Sequence, residues 1–299
     1  MASTRKTTVL ITGCTPGGIG HALAAEFHKR GCHVIATARN PDVLEGLQAE
    51  GFSTAQLDVT DEESLQSCRE AVEKLTDGRL DILVNNAGRT HTIPALDMEI
   101  DDVRATYEAN VFGPMRAVQA FIGPLMAARG LIVNISSTSA QVPYMFGAIY
   151  SSTKGALDTY SRALRLELRP LGVRVMVAVT GTVRSNIASR QHRSLPAGSL
   201  YQPVRDVFEW RLTFSQNHGT VSTESYARGV VDQALRGEGW FGHLIGGTPD
   251  WFWHGGMSRL VWLTTLMPRW LSENVIFPRY WKIGELTRRI QAAGAEKST

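Results

Sequence analysis

Short apolar runs rich in Val and Ile recur along the chain, each followed by a segment of helix length. The pattern predicts a strand over 8–12, a helix over 19–30 and a strand over 33–37. A helix over 41–50 then leads to a strand ending at Leu57-Asp58-Val59, and a helix over 61–75 leads to a strand over 81–84. A long helical region covers roughly 100–128, followed by a strand over 130–135, a helix over 148–169 and a strand over 173–179. Unbroken apolar runs suit strands covered on both faces. Strict alternation of strand and helix implies parallel strands joined by right-handed crossovers, hence an α/β fold with a doubly wound parallel sheet. No internal repeat or low-complexity linker divides the chain. The expected organisation is one doubly wound domain over 1–250 and a helical, Trp-rich C-terminal extension over 251–299.

Composition narrows the function classes. Of 299 residues, 43% are hydrophobic and 20% charged, which supplies a core for one large domain. A net charge of +3 is too small to argue for nucleic acid. Cys14, Cys32 and Cys68 form no CxxC pair and are odd in number, so a reducing compartment such as the cytoplasm is expected. The histidines show no ligand spacing, and no metal site is expected. Residues 1–6 are short and polar, and the apolar run after them is too brief for a signal-peptide core. No stretch of 18 or more apolar residues exists, so no spanning helix is expected.

The first chemical motif is Thr12-Gly13-Cys14-Thr15-Pro16-Gly17-Gly18-Ile19-Gly20, between the first strand and the first helix. Glycines there let the backbone approach a pyrophosphate, which would sit at the positive end of the helix. The spacing departs from GxGxxG, so the motif is weak alone and gains from its place in the strand–turn–helix unit. The second strand ends in Ala36-Thr37-Ala38-Arg39, with no Asp or Glu in 34–39. An acid at that strand end suits a ribose 2′-hydroxyl, and an arginine suits a 2′-phosphate. The expected cofactor is therefore NADPH.

The second motif is Tyr150-Ser151-Ser152-Thr153-Lys154. On a helix, residues i and i+4 share a face. An ammonium beside a phenol favours the phenolate and lowers the phenol's pKa. Free tyrosine titrates near ~10, and bringing it to neutral pH takes about 4 kcal/mol of differential stabilisation. The pair on its own also suits a plain solvated helix face.

Taken in order, these residues resemble the short-chain dehydrogenase/reductase family, over roughly residues 7–245. Thr12, Gly13, Gly18, Ile19 and Gly20 are similar to the family's TGxxxGIG turn, with one extra residue between the first two glycines. Asp58 and Val59 match the adenine contact, and Asn85-Asn86-Ala87-Gly88 matches the NNAG segment. Asn110 matches the catalytic asparagine, and Ser137 lies 13 positions before Tyr150. After the sixth strand the family's Pro-Gly pair reads Thr180-Gly181, and loss of the proline's fixed φ would loosen that turn. These departures resemble a subgroup related to fungal 1-acyl-dihydroxyacetone-phosphate reductases, which also includes tailoring reductases of secondary metabolism.

The resemblance implies a Rossmann fold and hydride transfer between a nicotinamide and a carbonyl carbon. Tyr150 would donate the proton, Ser137 would position the carbonyl oxygen, and Lys154 would hold the nicotinamide ribose. Asn110 would anchor a water that reconnects Lys154 to solvent. Cofactor contacts are implied for Thr12, Gly13, Gly18, Ile19, Gly20, Arg39, Asp58, Val59, Asn86, Ala87, Gly88, Tyr150, Lys154, Gly181, Val183 and Ser185. The expected reaction is reduction of a ketone on a hydrophobic molecule, lipid-like or polycyclic. The alternatives are an alcohol dehydrogenase of a secondary-metabolite pathway, a 1-acyl-dihydroxyacetone-phosphate reductase and, last, a non-catalytic scaffold.

Substrate choice is expected in the segment after Ser185, where a helix carrying Phe208, Trp210 and Phe214 either lines a pocket or packs a lid. His91 is either a substrate-facing or a loop residue, and Arg184, Arg190 and Arg193 either form a basic pocket or are solvated. Six of the seven tryptophans fall between Trp240 and Trp281, and residues 251–299 carry seven Lys/Arg against three Asp/Glu. Trp and Arg around the short apolar run 260–267 suit peripheral contact with a membrane surface. A buried pocket or homo-oligomer element with a basic rim is the other reading.

Overall fold

The computed structural model describes residues 5–186, 193–240 and 245–296. In chain order the first half runs β1 (Thr8–Ile11), α1 (Ile19–Lys29), β2 (His33–Ala38), α2 (Pro41–Ala49), β3 (Ser53–Gln56), α3 (Glu62–Thr76) and β4 (Ile82–Asn85). It continues through α4 (Ile100–Tyr107), α5 (Gly113–Ala128), β5 (Leu131–Ile135), α6 (Ala148–Leu168) and β6 (Arg174–Thr180). A two-residue pair follows, β7 (Val183–Arg184) with β8 (Val221–Ser222), flanking α7 (Arg205–Asn217). After α8 (Thr223–Ala234) come β9 (Trp251–His254), α9 (Ser258–Thr265), α10 (Arg269–Leu271), α11 (Phe277–Tyr280) and α12 (Ile283–Glu296).

Seven parallel strands form the main sheet in the order β3-β2-β1-β4-β5-β6-β9. Side chains alternate across it, as a period of two requires. Val9 and Ile11 join the cluster holding Leu23 and Phe27 of α1 and Tyr226 and Val230 of α8. Leu10 between them joins Phe121 and Leu125 of α5 and Leu164 of α6 on the other face. Each such fully buried side chain contributes about 1.5–3 kcal/mol, which is why the central strands carry no polar face. Strand order reverses between β1 and β4, and the crevice at their C-terminal ends is the expected ligand position of this topology.

Helix starts follow local chemistry. Asn40 caps α2 by accepting from the Asp42 amide, with Pro41 at the first turn, and Asp61 caps α3 by accepting from the Ser64 amide. The strand expected to end at 57–59 stops at Gln56, because the Asp58 amide turns to the Ser64 hydroxyl at 2.9 Å. The long helix expected over 100–128 spans those residues, with α4 and α5 joined without a break by a π turn, Glu108–Phe112.

The largest addition to the expected fold is β9. Its register pairs Val177 with Trp251 and Thr180 with His254, so the start of the Trp-rich segment is the edge strand of the sheet. Arg165 of α6 secures it, donating to the Asp250 carbonyl at 2.8 Å with its guanidinium 5.7 Å from the Trp251 ring centroid. Beyond β9 the chain packs back on the domain through buried Phe277, Trp281 and Leu286. In contrast, Leu260, Trp262, Leu266 and Trp270 on and after α9 are exposed. Among the described residues no helix is long and apolar enough to cross a membrane.

Candidate active site

The C-terminal ends of β1 to β6 bring the sequence motifs to one edge of the sheet. Gly13 and Gly17 adopt positive φ, 75° and 74°, which the turn out of β1 requires. A side chain at Gly20 would meet the Asn86 amide nitrogen at 2.4 Å and the Gly13 carbonyl at 2.5 Å, so the loop is packed flat against the turn after β4. Gly18 caps α1 without any side-chain bond, and the first turn of the helix carries no acid. Its amides and positive dipole end therefore lie open to a phosphate. These features fit the pyrophosphate of a dinucleotide.

Thr12 and Asn86 stitch the two halves of the sheet at this point. The Thr12 hydroxyl accepts from the Asn86 and Ala87 amides at 3.0 and 2.9 Å, and Asn86 Nδ2 donates back to the Thr12 and Gly13 carbonyls. Arg39 is exposed at the end of β2, with its guanidinium 3.7 Å from the Asp58 carboxylate. Asp58 in turn accepts from the Thr60 amide and hydroxyl at 2.9 and 2.7 Å. Val59 is buried against Gly113.

Gly88 leads into Arg89, whose backbone is clasped by Asn110. Asn110 Oδ1 accepts from the Arg89 amide at 2.8 Å, and Nδ2 donates to the Arg89 carbonyl at 2.9 Å and the Thr153 hydroxyl at 3.1 Å. The π turn places Asn110 at this junction, where it joins the NNAG segment to α6. His91 is buried, 3.1 Å from the Asp102 carboxylate, which also holds Arg89 and Arg193. Burial and the two arginines push its pKa down.

Tyr150, Lys154 and Ser137 converge on the other side of the crevice. Ser137 follows β5, opens the turn Thr138–Ala140 and faces Tyr150, while its Oγ accepts from the Ser139 amide and hydroxyl at 3.2 and 3.0 Å. Lys154 is buried and donates from Nζ to the Ile135 carbonyl at 2.8 Å, 5.8 Å from the Tyr150 ring centroid. This corrects the expected lowering of the phenol's pKa. Burial pushes Tyr150 up to about 12, with Tyr144 adding to the rise and the nearby Ser137 hydroxyl opposing it. Burial likewise pulls Lys154 down to about 8, against the attraction of Asp158. Desolvation of both charged forms outweighs their mutual stabilisation. A phenol in this state is fully protonated at neutral pH, as a proton donor must be.

After β6, Gly181 is forced by close packing, since a Cβ there would meet the Gly256 carbonyl at 2.1 Å. The loosening expected from Thr180 is countered by its 2.6 Å hydrogen bond to Tyr226 and its pairing with His254. Val183 is buried, and the Ser185 amide donates to Gln216 at 3.1 Å. Arg184 is exposed, Arg193 is bound to Asp102, and Arg190 lies outside the described residues.

The local pattern did not reveal Arg211. It is buried, donates to the Met145 carbonyl at 3.0 Å, and lies 3.6 Å from the Tyr144 ring centroid. It braces the loop leading into α6 against the C-terminal segment. Alongside, a cavity of about 690 Å³ is lined by Tyr144, Met145, Phe146, Phe277, Trp281 and Leu286, among others.

This arrangement can bind a dinucleotide and donate a proton beside it. The short chain dehydrogenase family model matches residues 7–195. The chain belongs to the short-chain dehydrogenases. It is similar to the short-chain dehydrogenase virD of Hypocrea virens, 38% identical over 278 residues covering 93% of both chains. The NADPH-dependent 1-acyldihydroxyacetone phosphate reductase of Schizosaccharomyces pombe is 38% identical, covering 87% of this chain and 89% of its own. Among solved structures, a short-chain dehydrogenase from Streptomyces avermitilis matches with a TM-score of 0.75 at 26% identity, over 96% of this chain and 98% of that one. As a short-chain dehydrogenase, the protein is an oxidoreductase that uses a nicotinamide cofactor.

Proposed function

We propose that the protein is an NADPH-dependent reductase of a ketone on a hydrophobic small molecule. The observation that carries this reading is the placement of Tyr150 beside Ser137 and one helical turn from buried Lys154, whose Nζ lies 5.8 Å from the Tyr150 ring centroid. NADPH would supply the hydride to the carbonyl carbon. Gly13, Gly18, Ile19 and Gly20 would hold its pyrophosphate. Arg39 would pair with the 2′-phosphate, while Asp58 and Val59 would flank the adenine. Asn86, Ala87, Gly88, Gly181, Val183 and Ser185 would border the nicotinamide side, with Thr12 keeping the β1 and β4 turns in register.

In the reductive direction the Tyr150 Oη–H bond breaks, and its proton goes to the carbonyl oxygen as the carbon accepts the hydride. Ser137 donates a hydrogen bond to that oxygen and fixes its distance from the phenol. Lys154 stabilises the phenolate left behind, and Asn110 keeps the segment under the nicotinamide rigid. Aromatic and aliphatic side chains around the 690 Å³ cavity favour an apolar substrate body. The resemblance in sequence to a 1-acyldihydroxyacetone phosphate reductase supports acylated ketone phosphates as one substrate class, and the apolar cavity lining suits polycyclic ketones as another. NADPH oxidation measured against a panel of both decides between them. Turnover of neither class above the solvent blank would overturn the reading.

A second reading concerns the C-terminal segment. Exposed Leu260, Trp262, Leu266 and Trp270, with exposed Arg259 and Arg269 beside them, suit the interface of an anionic bilayer. Because Trp251–His254 is a sheet strand, the segment is tested by substitution rather than removal. Trp262→Ser/Trp270→Ser should abolish flotation with phosphatidylserine vesicles. Equal partitioning of wild type and variant would overturn the attachment.

A further inference from the structure

Asp158 is a buried carboxylate that the reaction above does not use. It lies on α6 four residues after Lys154 and eight after Tyr150, so all three share one helix face. Side chains at this spacing have Cβ atoms about 5–6 Å apart. Its Oδ2 accepts a 2.6 Å hydrogen bond from Gln141, while Oδ1 is buried without a hydrogen-bond partner. Gln141 closes the turn Thr138–Ala140 that opens on Ser137. One carboxylate thus lies on the helix face that carries the lysine and holds the turn that carries the serine.

A buried carboxylate is costly unless a charge or full hydrogen bonding offsets it. The charge it feels is the Lys154 ammonium, with the Ser136 and Gln141 side chains facing it from the segment after β5. Reciprocally, Asp158 is the group that raises the proton affinity of Lys154 against burial. The hydrogen bond of Nζ goes to a neutral carbonyl, that of Ile135. Tyr150 faces Tyr144 and Ser137.

We propose that Asp158 is a positioning residue of the reduction site: its carboxylate keeps Lys154 as the ammonium and, through Gln141, fixes the turn that presents Ser137. The proposal rests on Tyr150 acting as the acid in the reaction above. Without the Asp158 charge, burial alone acts on Lys154 and the lysine loses its proton near neutral pH. The phenolate formed on proton transfer would then face an uncharged amine.

The test compares full-length wild type with Asp158→Asn, and with Asp158→Ser in case the amide does not fold. The Lys154 Cε resonance is followed against pH by NMR, a readout that needs no turnover. Either neutral variant should lower the Lys154 titration by about one pH unit or more, a tenfold change in its ionisation constant. NADPH oxidation with tridecanone should show the same shift in the alkaline limb of kcat, and about tenfold lower kcat near neutral pH. Gln141→Ala keeps the charge and should reduce kcat without moving the Lys154 titration. An unchanged Lys154 titration in the folded variants overturns the proposal. A wild type that fails to oxidise NADPH but shows the titration shift would instead count against the assigned reaction.

Discussion

The indole nitrogen of Trp281 donates to the Pro143 carbonyl at 3.2 Å, joining the C-terminal segment to the loop that delivers Tyr150. The same ring packs against Tyr144, Phe214 and Tyr280, at centroid distances of 5.8, 5.4 and 4.9 Å. The segment after β9 therefore braces the loop that leads into α6. Its aromatic content serves packing at Trp281 and surface exposure at Trp262 and Trp270.

Trp281→Ala removes a buried aromatic and leaves the Pro143 carbonyl without its donor. The expected loss is about 3–5 kcal/mol of stability, measured by urea unfolding. The KM for an apolar ketone should rise with it. A loss below about 1 kcal/mol, within the range of a surface substitution or a weak hydrogen bond, would show that the segment does not brace the loop.

Arg39→Ala tests cofactor choice. A charge-assisted bond to a 2′-phosphate is worth about 1.5–3 kcal/mol, so the KM for NADPH should rise roughly 10- to 100-fold. The KM for NADH should change little. Equal changes for the two cofactors would remove Arg39 from 2′-phosphate recognition.

The buried charges predict a pH dependence of stability. Unfolded, Lys154 keeps its proton to pH 10.5, whereas the folded chain releases it near 8. Between those values the unfolded state binds more protons, so this group makes the fold more stable as pH rises from 8 to 10.5. Asp158 acts oppositely at lower pH: the fold keeps its proton to about 6 against 3.8 unfolded, so stability falls as pH rises from 3.8 to 6. Around neutral pH both penalties are present. Replacing the pair in Lys154→Met/Asp158→Leu should therefore stabilise the inactive protein by about 1–4 kcal/mol at pH 7, with the gain shrinking toward pH 10.5. Thermal unfolding across pH reads this directly, and a variant less stable than wild type at pH 7 would contradict it.

Much of this site was legible because its residues stand at strand ends or at fixed spacing on helices, where local sequence carries the signal. The glycine turn, Asn85–Gly88, Asn110, Ser137 and the Tyr150–Lys154 spacing all meet at one sheet edge. What was not legible depends on long-range contact. Trp251-Phe252-Trp253-His254 reads as an aromatic tail, and only pairing with β6 across 74 positions makes it a strand. The π turn at Asn110 has no pattern of its own within a helical run. Asp158 looks like one more helix polar residue until its burial and its bond to Gln141 are seen. The sign of the Tyr150 shift also follows from burial, which the i and i+4 spacing does not report.

In the proposed reaction Tyr150 supplies the proton for carbonyl reduction beside a bound NADPH. Tyr150→Phe removes one hydroxyl and keeps the ring, so the crevice and its cofactor contacts should persist. The deciding measurement pairs NADPH binding, followed by fluorescence titration, with single-turnover oxidation of a ketone by wild type and variant. The Kd for NADPH should be unchanged and turnover should fall on the order of 100- to 10,000-fold, the range of general acid catalysis. Near wild-type turnover by Tyr150→Phe would contradict it.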